Sequence, residues 1–234
     1  MIRRTYASVL HGMGNVAEMC GVSQALERAG ERSRLARWAR SLFAIYRIDD
    51  LVRLDLPWWT FDAVDRTDAF LRSRPQARVF EYGSGASTIW LARRAASVVS
   101  IEHDPDWYPV VQAKLAAWPN ARLLHVPADP VAQTDHSYLS EKKGWKGRSF
   151  RKYVHAIDDV PWSFDLIVID GRARAACLEH VLSRLAPDGM ILFDNSHRRS
   201  YREAIAKAPV HATVTTGLTA CLPYPDETTL LQPA

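Results

Sequence analysis

The chain has 234 residues, of which 47% are hydrophobic and 24% charged, and its formal net charge is +4. This composition excludes a disordered chain and allows one sizeable buried core. No segment has the pattern of a signal peptide or a membrane span. Cys20, Cys177 and Cys221 form neither a CxxC pair nor an even framework, so they indicate neither a disulfide scaffold nor a zinc site and favour a cytoplasmic protein.

The first third of the chain has a helical pattern. Four apolar residues recur on one helical face of the segment 24–48: Leu35, Trp38, Leu42 and Ile45. They predict one amphipathic helix. Pro57 interrupts the pattern, and a further helix is expected over 61–71. We expect residues 1–72 to form a helical extension or lid, packed on a domain of residues 73–234 rather than on a membrane surface.

After Ala77, short apolar runs alternate with helical stretches. The five runs are ARVFEYG, SVVSIEHD, ARLLHVPAD, FDLIVIDG and GMILFDNS. Apolar strands separated by helices predict a doubly wound α/β domain, in which helices cover both faces of a parallel sheet. The last two runs, HATVTTGL and ETTLLQP, flank a proline-rich turn. They predict an antiparallel pair at the edge of the sheet.

The segment VFEYGSGAST predicts a ligand-binding turn between a strand and a helix. Gly83 and Gly85 begin a dinucleotide fingerprint, but Thr88 stands where its third glycine would be. Glu81 would repel a diphosphate and attract a cationic amino acid. Glu102 ends the next strand, where a carboxylate can accept hydrogen bonds from both ribose hydroxyls. These features favour S-adenosylmethionine, a nucleoside joined to a positively charged amino acid.

The motifs FEYGSGAST, SIEHD and FDLIVID resemble the strand-end motifs of class I S-adenosylmethionine-dependent methyltransferases, from about Ala77 to the C-terminus. The resemblance implies a Rossmann-like, seven-stranded and mostly parallel sheet with an antiparallel last strand. It implies that the glycine turn and Glu81 line the methionine end, Glu102 holds the ribose, His103 flanks the adenine and Asp129 meets its amino group. The cofactor-binding residues expected from it are Glu81, Tyr82, Gly83, Ser84, Gly85, Ser87, Thr88, Glu102, His103, Asp129 and Asp170.

Acidic residues end the next two strands, with Asp170 after one and Asp194 and Asn195 after the other. Neighbouring strands lie about 4.8 Å apart, so these oxygens could converge on Mg²⁺ or Ca²⁺. The arrangement resembles the metal site of catechol and caffeoyl-CoA type O-methyltransferases. In the alternative interpretation, Asp170 orients cofactor or acceptor, and Asp194 and Asn195 cap the helix that begins near His197.

The base expected from this resemblance is absent. Those enzymes carry a lysine three residues after the first aspartate, whereas this chain has Ala173 between Arg172 and Arg174. Arginine stays protonated and is a poor general base. We therefore predict that His197 is the general base and that Asp170 is the second catalytic residue.

The insert 130–163 combines basic and aromatic residues, including the segment EKKGWKGRSFRKY. The insert either binds an anionic or aromatic acceptor or forms a solvated loop, and both interpretations stay open. Our main prediction is methyl transfer to a hydroxyl oxygen of a small molecule. The alternatives are an RNA-directed or RNA-binding methyltransferase-like protein, which the scattered arginines disfavour, and an aminopropyltransferase-like enzyme. The acceptor and the oligomeric state stay open, a homodimer included.

Overall fold

The computed structural model describes residues 2–130, 135–140 and 142–234. Seven strands form one sheet in the order β3-β2-β1-β4-β5-β7-β6. In the described sheet, β7 runs antiparallel to both β5 and β6, and the other neighbouring pairs are parallel. The strands are β1 Arg78–Tyr82, β2 Ser97–Glu102, β3 Ala121–His125, β4 Phe164–Ile169, β5 Leu185–Asp194, β6 Val210–Gly217 and β7 Asp226–Pro233. The predicted Rossmann-like sheet, its antiparallel last strand and the β6–β7 pair at its edge are therefore confirmed.

Among the described residues, five α-helices precede the sheet and five others lie between its strands or beside it. The first five are α1 Ile2–Met19, α2 Val22–Gly30, α3 Arg34–Leu42, α4 Ile48–Arg53 and α5 Phe61–Arg72. The others are α6 Ala86–Ala92, α7 Tyr108–Lys114, α8 Arg151–His155, α9 Arg174–Val181 and α10 Arg199–Lys207. Within the described residues, every helix is too short or too polar to cross a bilayer.

The prediction of one helix over 24–48 is wrong, because α2 and α3 form a helical hairpin there. A side chain at Gly30 would begin only 3.3 Å from the Arg37 backbone, so glycine lets the two helices approach closely. The Ser33 hydroxyl accepts a hydrogen bond from the Ala36 amide at 3.3 Å and begins α3. The four predicted apolar residues therefore do not share one buried face: Leu35 is 61% exposed, whereas Ile45 is buried.

Hydrophobic cores cover both faces of the sheet, as the apolar strands predict. One face packs against α8 and α9 through residues that include Tyr82, Tyr153 and Val181. The opposite face packs against α5 through Trp59 and Leu71, among others. A third cluster joins Ile45, Leu51 and Phe61 of the N-terminal region to Ile89 and Val111. These contacts hold the extension against α6 and α7, beside the carboxyl ends of the strands.

Candidate active site

A large crevice lies beyond the carboxyl ends of β1, β2, β4 and β5, where doubly wound sheets bind ligands. Its volume of about 2520 Å³ exceeds that of most single-ligand pockets and leaves room for a cofactor and an acceptor. Tyr46 and Trp58 of the N-terminal region, Lys142 of the insert and Tyr224 of the β6–β7 loop contribute to its walls. The part of the predicted insert at 131–134 and 141 lies outside the described residues.

Two glycines bring the β1–α6 and β4–α9 loops into backbone contact at the base of the crevice. Gly83 has φ +92, and a side chain there would begin 3.1 Å from the Asp170 carbonyl. At Gly171, a Cβ atom would lie 1.9 Å from the hydroxyl of Tyr153. Only glycine fits either position, so this part of the crevice wall is backbone. Sequence reasoning identified Gly83 but missed Gly171, which follows Asp170 directly.

Glu81 lies beneath the glycine turn and is fully buried. Its carboxylate accepts hydrogen bonds from the hydroxyls of Ser87, Thr88 and Ser100, at 2.5 to 2.6 Å. Burial raises the pKa of Glu81 to about 7, although the three hydroxyls favour its charged form. Neither Glu81 nor Thr88 is among the described residues that line the crevice. The Glu81 oxygens hold α6 on the sheet, and the assignment of Glu81 to the methionine end stays a prediction.

Glu102 lines the crevice at the end of β2. One oxygen accepts hydrogen bonds from the Ser84 hydroxyl at 2.8 Å and the Ser84 amide at 3.2 Å. The other accepts the amides of His103 and Asp104 at 2.7 and 2.8 Å. Burial alone would raise the pKa of Glu102, but the hydrogen bonds from His103, Asp104 and Ser84 outweigh it and lower the pKa. The carboxylate stays ionised, and a ribose would have to replace donors such as the Ser84 hydroxyl.

Three other predicted cofactor residues have different environments. His103 lines the crevice, where its Nε2 atom accepts a hydrogen bond from Arg172 at 2.8 Å and its ring packs on Trp145. Tyr82 is buried and donates its hydroxyl to the Val154 carbonyl at 2.7 Å. Asp129 accepts the amide of Arg151 at 2.8 Å and caps α8. Tyr82 and Asp129 are not among the described lining residues, and their assignment to the cofactor stays a prediction.

Arg174 links the two aspartates of the expected metal site, and sequence reasoning missed this link. Its guanidinium donates to Asp170 Oδ1 at 2.7 Å, lies 3.5 Å from Asp194 Oδ2 and donates to the Asp194 carbonyl. The Arg174 side chain is only 8% exposed. Burial and the nearby Asp170 raise the pKa of Asp194 well above its usual range. Trp59, 111 positions earlier in the chain, lies 3.4 Å from the other oxygen of Asp170.

Asp170, Asp194 and Asn195 do not fit Mg²⁺ or Ca²⁺ in this arrangement. Arg174 places one positive charge against both carboxylates. A divalent cation between them would face this guanidinium at close range. Asn195 has φ +51 and donates its side-chain amide to Asp226 at 2.9 Å. All three residues line the crevice, and Asp170 keeps 27% of its side chain exposed to it.

His197 and Asp226 form a pair on the crevice wall. The Nδ1 atom of His197 lies 3.1 Å from Asp226, and the imidazole is 51% exposed. Asp226 begins β7 and also accepts the amide of Asn195. With Nδ1 held by a carboxylate, Nε2 is the nitrogen left for a ligand. Sequence reasoning proposed His197 but missed Asp226, because 28 residues separate the two in the chain.

The crevice mouth is basic on the side of the insert. Lys142 lies near Arg172 and Arg174, and the pKa of Lys142 is lowered to about 8 by burial and by these two positive neighbours. Four further basic residues line the crevice: Lys143, Lys146, Arg198 and Arg202. Such an opening attracts anions, and its attraction weakens as Lys142 loses its proton.

Comparison with known proteins identifies the domain family and finds solved structures with the same fold. A family model described as a methyltransferase domain matches residues 80–196. A search of curated protein sequences found no match. An O-methyltransferase from Bacillus cereus, solved in complex with SAH, is 16% identical, with a TM-score of 0.57 over 80% of this chain and 90% of its own.

Two other solved structures share the fold at low identity. A candidate caffeoyl-CoA O-methyltransferase from Staphylococcus aureus is 12% identical, with a TM-score of 0.52 over 80% of this chain and 92% of its own. An rRNA methylase from Streptococcus thermophilus is 14% identical, with a TM-score of 0.50 over 73% of this chain and 96% of its own. These likenesses show a common architecture, and the proteins that share it act on different kinds of acceptor.

Proposed function

Since this chain belongs to the methyltransferase domain family, we propose that it transfers a methyl group from S-adenosylmethionine to a hydroxyl oxygen of a small anionic acceptor. The observation that carries the proposal is the His197–Asp226 pair, which lines the same crevice as Glu102 and the basic residues of the insert. In this proposal the three features serve as proton acceptor, ribose-binding carboxylate and anion-binding wall around one space.

The β1–α6 and β2–α7 loops suit an adenosine bearing a positive charge. A side chain at Gly85 would meet nothing within 4 Å, so the turn is open toward the crevice. Glu102 would hold the ribose, and Ser84 would line the methionine part together with the glycine backbone. Asp170 adds negative charge near the two glycine loops. When bound, S-adenosylmethionine supplies a methyl group on a positively charged sulfur, which leaves as a neutral thioether.

His197 is the group best placed to accept the acceptor's proton. Asp226 holds its Nδ1 side, so Nε2 can take the proton as the hydroxyl oxygen forms its bond to the methyl carbon. The electron pair of the broken carbon–sulfur bond stays on sulfur, and the proton stays on His197 until solvent removes it. Asp226 stabilises the protonated ring, as carboxylates beside catalytic histidines do.

The acceptor should carry a carboxylate or phosphate, because Lys142 and other basic side chains line the crevice. Trp58, Trp107 and Tyr46 line other parts of the wall and offer surfaces for a planar group. Arg174 pairs with both Asp170 and Asp194, and the proposed step uses no divalent cation.

The base is tested by turnover of S-adenosylmethionine with a panel of phenolic and sugar acids, each paired with its uncharged amide or ester. On the acceptor that reacts, His197→Gln should lower kcat by about 10²- to 10⁴-fold. The exposed His211→Gln is the matched control and should leave kcat unchanged. Full turnover by His197→Gln at every pH tested would exclude His197 as the base.

The charge of the acceptor is tested through Lys142. Its proton is lost as the pH rises through about 8, so KM for an anionic acceptor should increase over this range. Lys142→Arg should remove the increase because arginine keeps its charge. Faster turnover of the uncharged partners would contradict an anionic acceptor. A requirement for RNA with steep salt dependence would instead favour an RNA-directed methyltransferase.

A further inference from the structure

A second cluster of metal-ligating side chains lies outside the crevice. His155 ends α8, Asp158 lies in the 3₁₀ turn that follows, and His180 lies in the last turn of α9. Their potential ligand atoms all lie within 4.8 Å of one another. None of the three is among the described residues that line the crevice. His180 stands six residues after Arg174, about 9 Å farther along α9 at 1.5 Å per residue.

The distances match those of a metal's ligands. Asp158 Oδ2 lies 2.8 Å from His180 Nε2 and 3.2 Å from His155 Nδ1, and the two imidazole centroids are 4.1 Å apart. Two atoms bound to one tetrahedral Zn²⁺ at about 2.1 Å stand about 3.4 Å apart. Small side-chain rotations would therefore bring the three atoms around one ion.

The residues around the three ligands also suit a metal site. The hydroxyl of Tyr138 lies 3.3 Å from His155 Nε2, so it can hold the nitrogen that does not face the cluster. Val154, Ile157 and Val181, each next to a ligand residue in the chain, are fully buried and fix the backbone. The ligands themselves remain accessible: His180, His155 and Asp158 are 25%, 38% and 45% exposed. An ion can reach them, and water can complete its coordination.

We propose that His155, Asp158 and His180 bind a divalent transition metal of the Zn²⁺ class and thereby link α8 to α9. Two imidazole nitrogens and one carboxylate oxygen form a donor set that suits Zn²⁺ and disfavours Mg²⁺ and Ca²⁺, which prefer oxygen alone. The cysteines of this chain indicate no zinc site, and the proposed ligands use none of them. Because α9 begins at Arg174, the metal would stiffen the helix that carries this residue. The proposal does not depend on methyl transfer.

The test uses the full chain without a histidine tag, stripped of metal by a chelator and dialysed. Co²⁺ serves as the probe, because tetrahedral Co²⁺ with nitrogen ligands absorbs visible light. We expect one equivalent of Co²⁺ to bind and to be displaced by Zn²⁺ but not by Mg²⁺. His155→Ala, Asp158→Asn and His180→Ala should each weaken binding at least about tenfold, the size of effect seen even for partners of metal ligands. His211→Ala should bind like the wild type.

Thermal unfolding provides the second measurement. Zn²⁺ should raise the Tm of the wild type and of His211→Ala, and should raise that of His180→Ala far less. Circular dichroism of the metal-free variants shows whether each has folded, so lost binding is distinguished from lost structure. Absence of the visible Co²⁺ band in the wild type, or equal Co²⁺ affinity in folded His180→Ala, would overturn the proposal.

Discussion

The two sides of the crevice are built in different ways. On the cofactor side, formed by the loops after β1 and β2, hydrogen bonds join residues close in the chain: Ser87 and Glu81 are 6 positions apart, and Ser84 and Glu102 are 18 apart. On the acceptor side, 111 positions separate Trp59 from Asp170. The first side is formed within one βαβ unit, whereas the second also depends on a contact with the N-terminal region.

The two sides also stabilise their carboxylates by different groups. Glu81 and Glu102 are held by hydroxyls and backbone amides, which carry no full charge. Asp170 and Asp194 share the guanidinium of Arg174. Glu102, whose pKa is lowered, therefore gives the cofactor side a negative charge, which suits a sulfonium. On the acceptor side, Arg174 pairs with the aspartates and lysines line the crevice, which suits an anion.

The largest effect is expected at Arg174. Arg174→Met would leave Asp170 and Asp194 without their positive partner, and breaking such buried pairs costs about 3 to 5 kcal/mol. Urea denaturation measures the loss, and Arg199→Met is the control, since Arg199 is 93% exposed and its ion pair should contribute at most about 1 kcal/mol.

A second variant keeps this prediction testable if Arg174→Met is too unstable. Adding Asp194→Asn to it removes one unpaired carboxylate and should restore part of the stability. If the unfolding free energy of Arg174→Met equals that of Arg199→Met, Arg174 does not hold the acceptor side together.

The next effect concerns Glu81 and the pH dependence of stability. Its pKa is raised to about 7 in the folded chain, so its stabilising contribution is present below the unfolded value of 4.5 and is lost as the pH rises through about 7. The loss should be on the order of 3 kcal/mol. Glu81→Gln should flatten the decline of the unfolding free energy over this pH range, whereas the exposed Glu203→Gln should not. An unchanged slope in Glu81→Gln would refute the raised pKa.

A smaller effect is expected for Glu102. If its carboxylate holds the ribose, Glu102→Ala should weaken S-adenosylmethionine affinity by about 1 to 3 kcal/mol in calorimetry. Asp106→Asn is a matched control, because Asp106 is an exposed carboxylate four residues away. Unchanged affinity of folded Glu102→Ala for S-adenosylmethionine would remove Glu102 from the cofactor side.

The smallest effect is expected from added Mg²⁺ or Ca²⁺. Because Arg174 already forms ion pairs with Asp170 and Asp194, either ion should leave the rate of methyl transfer unchanged. The measurement is turnover with and without each ion, at constant ionic strength. A rate that rises with Mg²⁺ and saturates would show that a cation competes successfully with the guanidinium.

Much of the fold follows from local pattern. The apolar runs, such as FDLIVIDG, predict buried strands whose observed bounds differ by a few residues, as β4 at Phe164–Ile169 shows. The break between α2 and α3 was missed, since it depends on how closely Gly30 approaches Arg37, a contact between two helices. The division of the chain at residue 72 remains a prediction.

The candidate site was predictable only in part. The sequence by itself determined which acidic and glycine residues end the strands, because strand ends and turns depend on neighbours within one βαβ unit. Only the tertiary structure decided their roles. Glu81 lies beneath the turn and Asp129 caps α8, whereas Glu102 and Asp170 line the crevice. A side chain's role depends on which partner reaches it. Trp59 reaches Asp170 from the N-terminal region, Arg174 reaches Asp194 from the start of α9, and Asp226 reaches His197 from β7.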